Sequence, residues 1–123
     1  MLTNSSTYFY VAVSADILPQ GRIEGFEAFP LEVQRGARRA LTIAAEGQKS
    51  GSAKPLKGIE GGVFEIALRY RGDAYRVIYA VQIGKALWVI HAFQKKSTTR
   101  IKTPQAEIEL IRDRLKRLKE ALR

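Results

Sequence analysis

Three stretches of period two, separated by short turn signals, constrain this chain more than any other part of its sequence. "VFEIALRY" (63–70) sets Phe64, Ile66, Leu68 and Tyr70 on one side and Glu65, Ala67 and Arg69 on the other. "AYRVIYAVQI" (74–83) alternates Tyr75, Val77, Tyr79 and Val81 with Arg76, Ile78 and Ala80, and "ALWVIHAFQK" (86–95) follows. Side chains of a strand alternate between faces, so the pattern predicts three half-buried strands. Gly72-Asp73 and Gly84-Lys85 are two-residue hairpin signals that join them into an antiparallel meander. Those loops set Arg71 opposite Ala74 and Ile83 opposite Ala86. Leu68 then aligns with Val77 and Ala92, and Ile66 with Tyr79 and Ile90, an apolar face that a slip of one residue would break. The opposite face carries the row Arg69, Arg76, Phe93 and beside it the row Ala67, Ile78, His91. Lys95 extends that face, while Lys96 points the other way.

Helical periods flank the meander. Pro30 suits a first helical position and Gly47 a stop, with Val33, Ala37, Leu41 and Ala44 on one face between them. Arg35, Arg38 and Arg39 form a basic flank of that helix. After Thr103 and Pro104, Ile108, Ile111, Leu115, Leu118 and Leu122 repeat at helical spacing, with acids near the start and bases near the end, as the helix dipole favours. "YFYVAV" (8–13) reads as a first strand, and "PQGRIEGFEAF" after it holds at most a short helix. "QKSGSAKPLKGIEGG" (48–62), with four glycines, a proline and three lysines, reads as a mobile basic connector; it lacks the spacing of a phosphate-binding loop. The expected architecture is α+β: a single domain over residues 1–123, with N-terminal helices on a mostly antiparallel twisted sheet and a C-terminal amphipathic helix. No internal repeat is present.

With 123 residues the chain suffices for one core. It has no cysteine and one histidine, so disulfides, thiolate metal sites and multi-histidine sites are excluded, and neither a metal nor a cofactor is expected. There is no leader-like segment, and the longest apolar run, "ALWVI", falls far short of a membrane span, so the expectation is a soluble, cytoplasmic protein. The formal charge of +9 is uneven: residues 1–30 hold Arg22 against Asp16, Glu24 and Glu27, a net −2, which leaves +11 on the rest. Such a field favours a polyanion or an acidic protein partner.

Arg69, Arg76, His91 and Lys95 on one sheet face have the makings of a phosphate-handling surface. Cations hold a phosphodiester and stabilise charge on its oxygens, an imidazole moves protons near neutral pH, and Phe93 offers a ring for a base. The residues alone leave a second reading open, in which His91 is structural and the arginines are paired with Glu65 or solvated. A serine hydrolase triad and a glycosidase carboxylate pair find no support.

Taken in order, "KPLKG" (54–58), "GVFEI" (62–66), "YRVIYAV" (75–81), "HAFQKKS" (91–97) and "TPQAEIELIRDRLK" (103–116) resemble the RelE/HigB-like toxin superfamily, and within it the phage-derived branch of host-inhibition or addiction-module killer proteins. The resemblance spans residues 30–118. It implies two N-terminal helices against a mostly antiparallel sheet and the toxin role in a type II toxin–antitoxin pair. The activity implied is that of an mRNA interferase, cutting mRNA on the ribosome by attack of a ribose 2′-OH on the adjacent phosphate. Arg76 matches the phosphate-contacting arginine, Lys95 and Lys96 the basic pair, and His91 is the candidate proton shuttle. Glu65 is the candidate base, and Arg69, Lys57, Phe93, Arg38 and Arg39 are candidate RNA contacts. The expected partners are mRNA, the ribosome and an acidic antitoxin, often of helix-turn-helix type.

The chain departs from the archetype in having Glu65 and Ala67 where basic residues stand, and no tyrosine within 97–106. Two alternatives remain: a non-enzymatic inhibitor of DNA gyrase on the same fold, and a phage-derived interaction module without activity.

Overall fold

The computed structural model describes residues 11–13, 23, 25–59, 61–83, 86–95 and 103–121. Its elements are β1 (Val11–Val13), α1 (Leu31–Ala45), β2 (Ala53–Pro55), β3 (Val63–Tyr70), β4 (Asp73–Ile83), β5 (Ala86–Lys95) and α2 (Gln105–Ala121), with one 3₁₀ turn at Phe26–Ala28. The strands make one antiparallel sheet in the order β1-β5-β4-β3-β2. The α+β architecture and the meander of the sequence reading are present. Of the stretch 19–29, where the sequence predicts at most a short helix, Phe26–Ala28 form the 3₁₀ turn, and residues 19–22 and 24 lie outside those described.

α1 forms as its period dictates: Val33, Ala37, Leu41 and Ala44 are buried, while Arg38 and Arg39 face solvent. It ends where Gly47 takes φ 90°, with Gly47 N–H donating to Ala44 O and Gln48 N–H to Ile43 O, the Schellman arrangement that satisfies the last carbonyls. This buried stripe packs on Ile66, Val77, Tyr79 and Val89 of the sheet. Ile108, Ile111 and Leu115 of α2 pack on the other face, against Ile78, Ala80, Ile90 and Phe93. The sheet is therefore covered on both sides, and the face expected to be an open basic surface lies partly under the C-terminal helix.

Two register details depart from expectation. The first hairpin turns on Arg71-Gly72, and Tyr70 pairs with Asp73. Both turn residues have positive φ, 52° and 86°, which gives a type I′ turn whose twist matches the flanking strands. The partners of β3 accordingly move by two residues with no change of face: Ile66 meets Val77, Leu68 meets Tyr75, and Arg76 meets Ala67 in place of Arg69. That removes a like-charged cross-strand pair. In the second hairpin the expected pairing holds from Ala74–Lys95 to Ile78–His91 and again at Ile83–Ala86, but between them it shifts, so that Tyr79 meets Val89, Ala80 meets Trp88 and Ile90 is left over. The bulge turns Ile90, expected beside Tyr79 on the first core face, into the core beneath α2.

A third correction concerns the connector at 48–62. Its middle is an edge strand: Ala53, buried at 3% exposure, pairs with Ile66, and Lys54 with Glu65. An edge position is where a strand tolerates Pro55.

Candidate functional site

The β3–β4 register builds a charge cluster row by row on the α2 side of the sheet. Arg69 and Lys95 flank the small side chain of Ala74, Ala67 and Phe93 flank Arg76, and Lys54 stands beside Glu65. Glu65, Arg76 and Lys95 are buried, Glu65 to 2% exposure. Glu65 Oε2 lies 3.3 Å from Arg76 Nε and accepts a hydrogen bond from Thr103 Oγ1. The arginine contact is an ion pair without hydrogen-bond alignment, and buried Arg76 Nε donates to nothing among the described residues. Burial, then the neighbouring Arg76, pushes the Lys95 ammonium below the usual lysine range, with Glu65 pulling the other way and Lys54 and Arg69 adding to the repulsion. Among the described residues, four cations thus surround one carboxylate, with Arg76 and Lys95 buried beside it and Lys54 and Arg69 exposed at the edge, an arrangement suited to an anion with several charged oxygens.

His91 belongs to a second constellation. Its Nε2 donates to Glu107 Oε1 at 2.6 Å, and its Nδ1 accepts from Arg114 Nη1 at 3.0 Å. Arg114 Nη1 also donates to the Ile90 carbonyl at 3.0 Å. The ring stacks on Phe93 with centroids 5.1 Å apart. Both ring nitrogens are thereby directed at α2.

The candidate residues of the sequence thus divide. Glu65, Arg76, Lys95 and Arg69 come together. His91 lies on the same face, two residues from Phe93, but is engaged with the helix. Phe93 is a core residue at 9% exposure, where an exposed stacking ring was expected. Arg38, which lies over the Phe26 ring at 5.6 Å, and Arg39 are on α1, across the sheet from the cluster. Lys57 follows β2 and is exposed, and Lys96 lies outside the described residues.

Sequence reasoning missed Lys54, Thr103, Glu107 and Arg114. Lys54 lies in a stretch whose composition predicts a connector, and Thr103 stands where the pattern predicts a helix cap. Arg114 had a visible signal: it stands three residues after Ile111 and four before Leu118, inside the buried stripe of α2. Among the described residues no three histidine or acidic side chains are grouped as a metal site would require.

The model of the family described as Phage derived protein Gp49-like (DUF891) matches residues 24–116, about three quarters of the chain. The chain belongs to the Gp49-like family. This is a toxin-like, phage-derived family associated with addiction modules. No curated protein and no solved structure gives a significant match. Both constellations of this Gp49-like protein, the Glu65 cluster and the His91 chain, lie within the matched span. No described helix is long and apolar enough to cross a membrane.

Proposed function

We propose that this Gp49-like protein is the toxin of a type II toxin–antitoxin pair and a ribonuclease that cuts mRNA, in the manner of the RelE/HigB-like toxins it resembles in sequence. The observation that carries this reading is the surplus of cations around buried Glu65: Arg76 and Lys95 at the centre, Arg69 and Lys54 at the rim. A scissile phosphate fits the surplus. Glu65 removes the proton of the 2′-OH, the O2′–P bond forms, and the P–O5′ bond breaks to leave a 2′,3′-cyclic phosphate. Lys95, whose lowered pKa makes it the better acid, protonates the departing 5′-oxygen. Arg76 and Arg69 stabilise charge on the phosphoryl oxygens. His91, engaged at both nitrogens, acts here by positioning and not as the proton shuttle.

An acidic antitoxin covering the basic surface and a cytoplasmic site of action on translating ribosomes complete the proposal. Induction of the protein alone in bacteria should arrest growth, and co-expression of the neighbouring gene should relieve the arrest. Primer extension should then show mRNA cuts that Arg76→Ala abolishes. Arrest with intact mRNA and failed supercoiling would overturn the ribonuclease in favour of gyrase inhibition, and no arrest would leave an inactive interaction module.

A further inference from the structure

Beside the cation cluster, β2 with its following loop and the first turns of α2 enclose a cleft of about 450 Å³. That volume is in the range of pockets that hold a small organic ligand. Lys54, Lys57 and Arg112 line it, with Glu65 and Thr103 also on its wall. Leu56 and Ile108, both buried, add an apolar wall. Arg112 Nη2 donates to the Gly58 carbonyl at 2.6 Å, which fixes the loop that carries Lys57. Gln105, the first residue of α2, opens on the same space, so the positive end of a seventeen-residue helix adds to the field.

This lining selects among anions. Three cations to one carboxylate calls for negative charge, whereas Glu65 calls for a hydrogen-bond donor. Its Oε2 already holds Thr103 and Arg76, and its Oε1 accepts no hydrogen bond among the described residues. An acidic peptide brings carboxylates against Glu65. A nucleotide brings a phosphate, donor hydroxyls or amines and a flat apolar base in one unit.

We infer that the cleft binds a single nucleotide, with its phosphate on Lys57 and Arg112, its base against Leu56 and Ile108, and a donor group turned to Glu65. Resting on the ribonuclease reading, this is the seat of the nucleotide next to the cut, and the preference of the enzyme for particular bases is set here.

The test titrates the full-length protein with adenosine 5′-monophosphate, with a synthetic hexaribonucleotide and with a glutamate-rich peptide, following backbone amides by NMR. Both nucleotide probes should shift Lys57, Gly58 and Gln105 in common. Lys57→Glu and Arg112→Gln, at exposed positions, should each weaken binding about tenfold or more and change which bases flank the cuts. Shifts at the cleft with the peptide and not the nucleotides would overturn the inference, as would nucleotide binding that ignores both variants. If Arg76→Ala abolishes mRNA cleavage while neither nucleotide reaches the cleft, the inference falls and the ribonuclease stands. If nucleotides fill the cleft of a protein that cuts no RNA, the nucleotide site stands and the ribonuclease falls.

Discussion

Arg114 on α2 and His91 on β5 are joined at 3.0 Å through Nη1 and Nδ1, and this bond decides which nitrogen of His91 carries the proton. A guanidinium only donates, so Nδ1 accepts and the proton sits on Nε2, facing Glu107 at 2.6 Å. The resulting chain runs from α2 to the sheet and back to α2 two turns earlier, so one strand residue ties the helix at two points.

Arg114→Met should therefore loosen the helix more than a surface change would. The expected cost is about 1–3 kcal/mol, because a buried acceptor on His91 loses its donor. Urea unfolding of the two single variants and the Arg114→Met/His91→Phe double variant should give a coupling above about 0.5 kcal/mol. Strictly additive costs would mean that the two side chains act independently.

Glu65→Gln separates binding from chemistry. Removal of the one carboxylate from a cluster of four cations should tighten RNA binding, while loss of the base should slow cleavage on the order of 10²–10⁴-fold. Gel-shift and single-turnover cleavage measurements on the same RNA check both halves. Undiminished cleavage would remove Glu65 from the mechanism.

Lys95 gives a pH signature. Its folded pKa lies below the ordinary value of 10.5, so between the two the unfolded chain binds more protons and stability rises with pH. Below the folded pKa the protonated ammonium is held at a constant disadvantage. Lys95→Met should abolish that rise, as read from the difference in urea-unfolding free energy between the two proteins from about pH 7 upward. Parallel profiles would contradict it.

The turn at Arg71-Gly72 makes a simpler prediction. Arg71 holds φ 52° without being glycine, a conformation that costs about 1–2 kcal/mol for an ordinary L-residue and less for asparagine. Arg71→Asn should raise the thermal midpoint, and Gly72→Ala, at φ 86°, should lower it. The reverse order would mean that the cation–ring contact of Arg71 with Tyr70, at 5.2 Å, outweighs backbone strain.

RNA binding should weaken with salt along a log–log slope of about −0.7 per phosphate contacted. Arg76→Ala and Lys57→Ala should each flatten that slope. A slope near zero for the unaltered protein would exclude the cation cluster as the binding surface.

Much of the sheet was legible because period two is a strong signal: the faces of β3 and β4 follow directly from Phe64, Ile66, Val77 and Tyr79. What the pattern could not carry was phase. The meander accepts its turn at Gly72-Asp73 or at Arg71-Gly72 with identical faces. The φ demands of the turn do not favour the one that forms, which puts a positive φ on Arg71. The cross-strand pairs do, because its register sets Arg76 against Ala67 in place of Arg69. That choice decides whether Arg76 faces another arginine or lies diagonally from Glu65, so the central contact of the site hung on a turn. The covering of the second face was missed for a different reason. The stripe of α2 was plain, but nothing local to Glu107 or Arg114 marks His91 as their partner.

The leftover Ile90 has a consequence for how β5 tolerates change. Leu87 and Val89 at odd positions and Ala92 at an even one all serve the core under α1, whereas Ile90 and Phe93 serve the core under α2. The strand thus behaves as two short segments of opposite phase spliced at one residue. Residue count, more than residue identity, governs this splice. A conservative replacement of Ile90 leaves both segments in place, and its deletion would merge them into one regular strand with Leu87, Val89 and Ala92 still on the core under α1 and His91 and Phe93 still beneath α2.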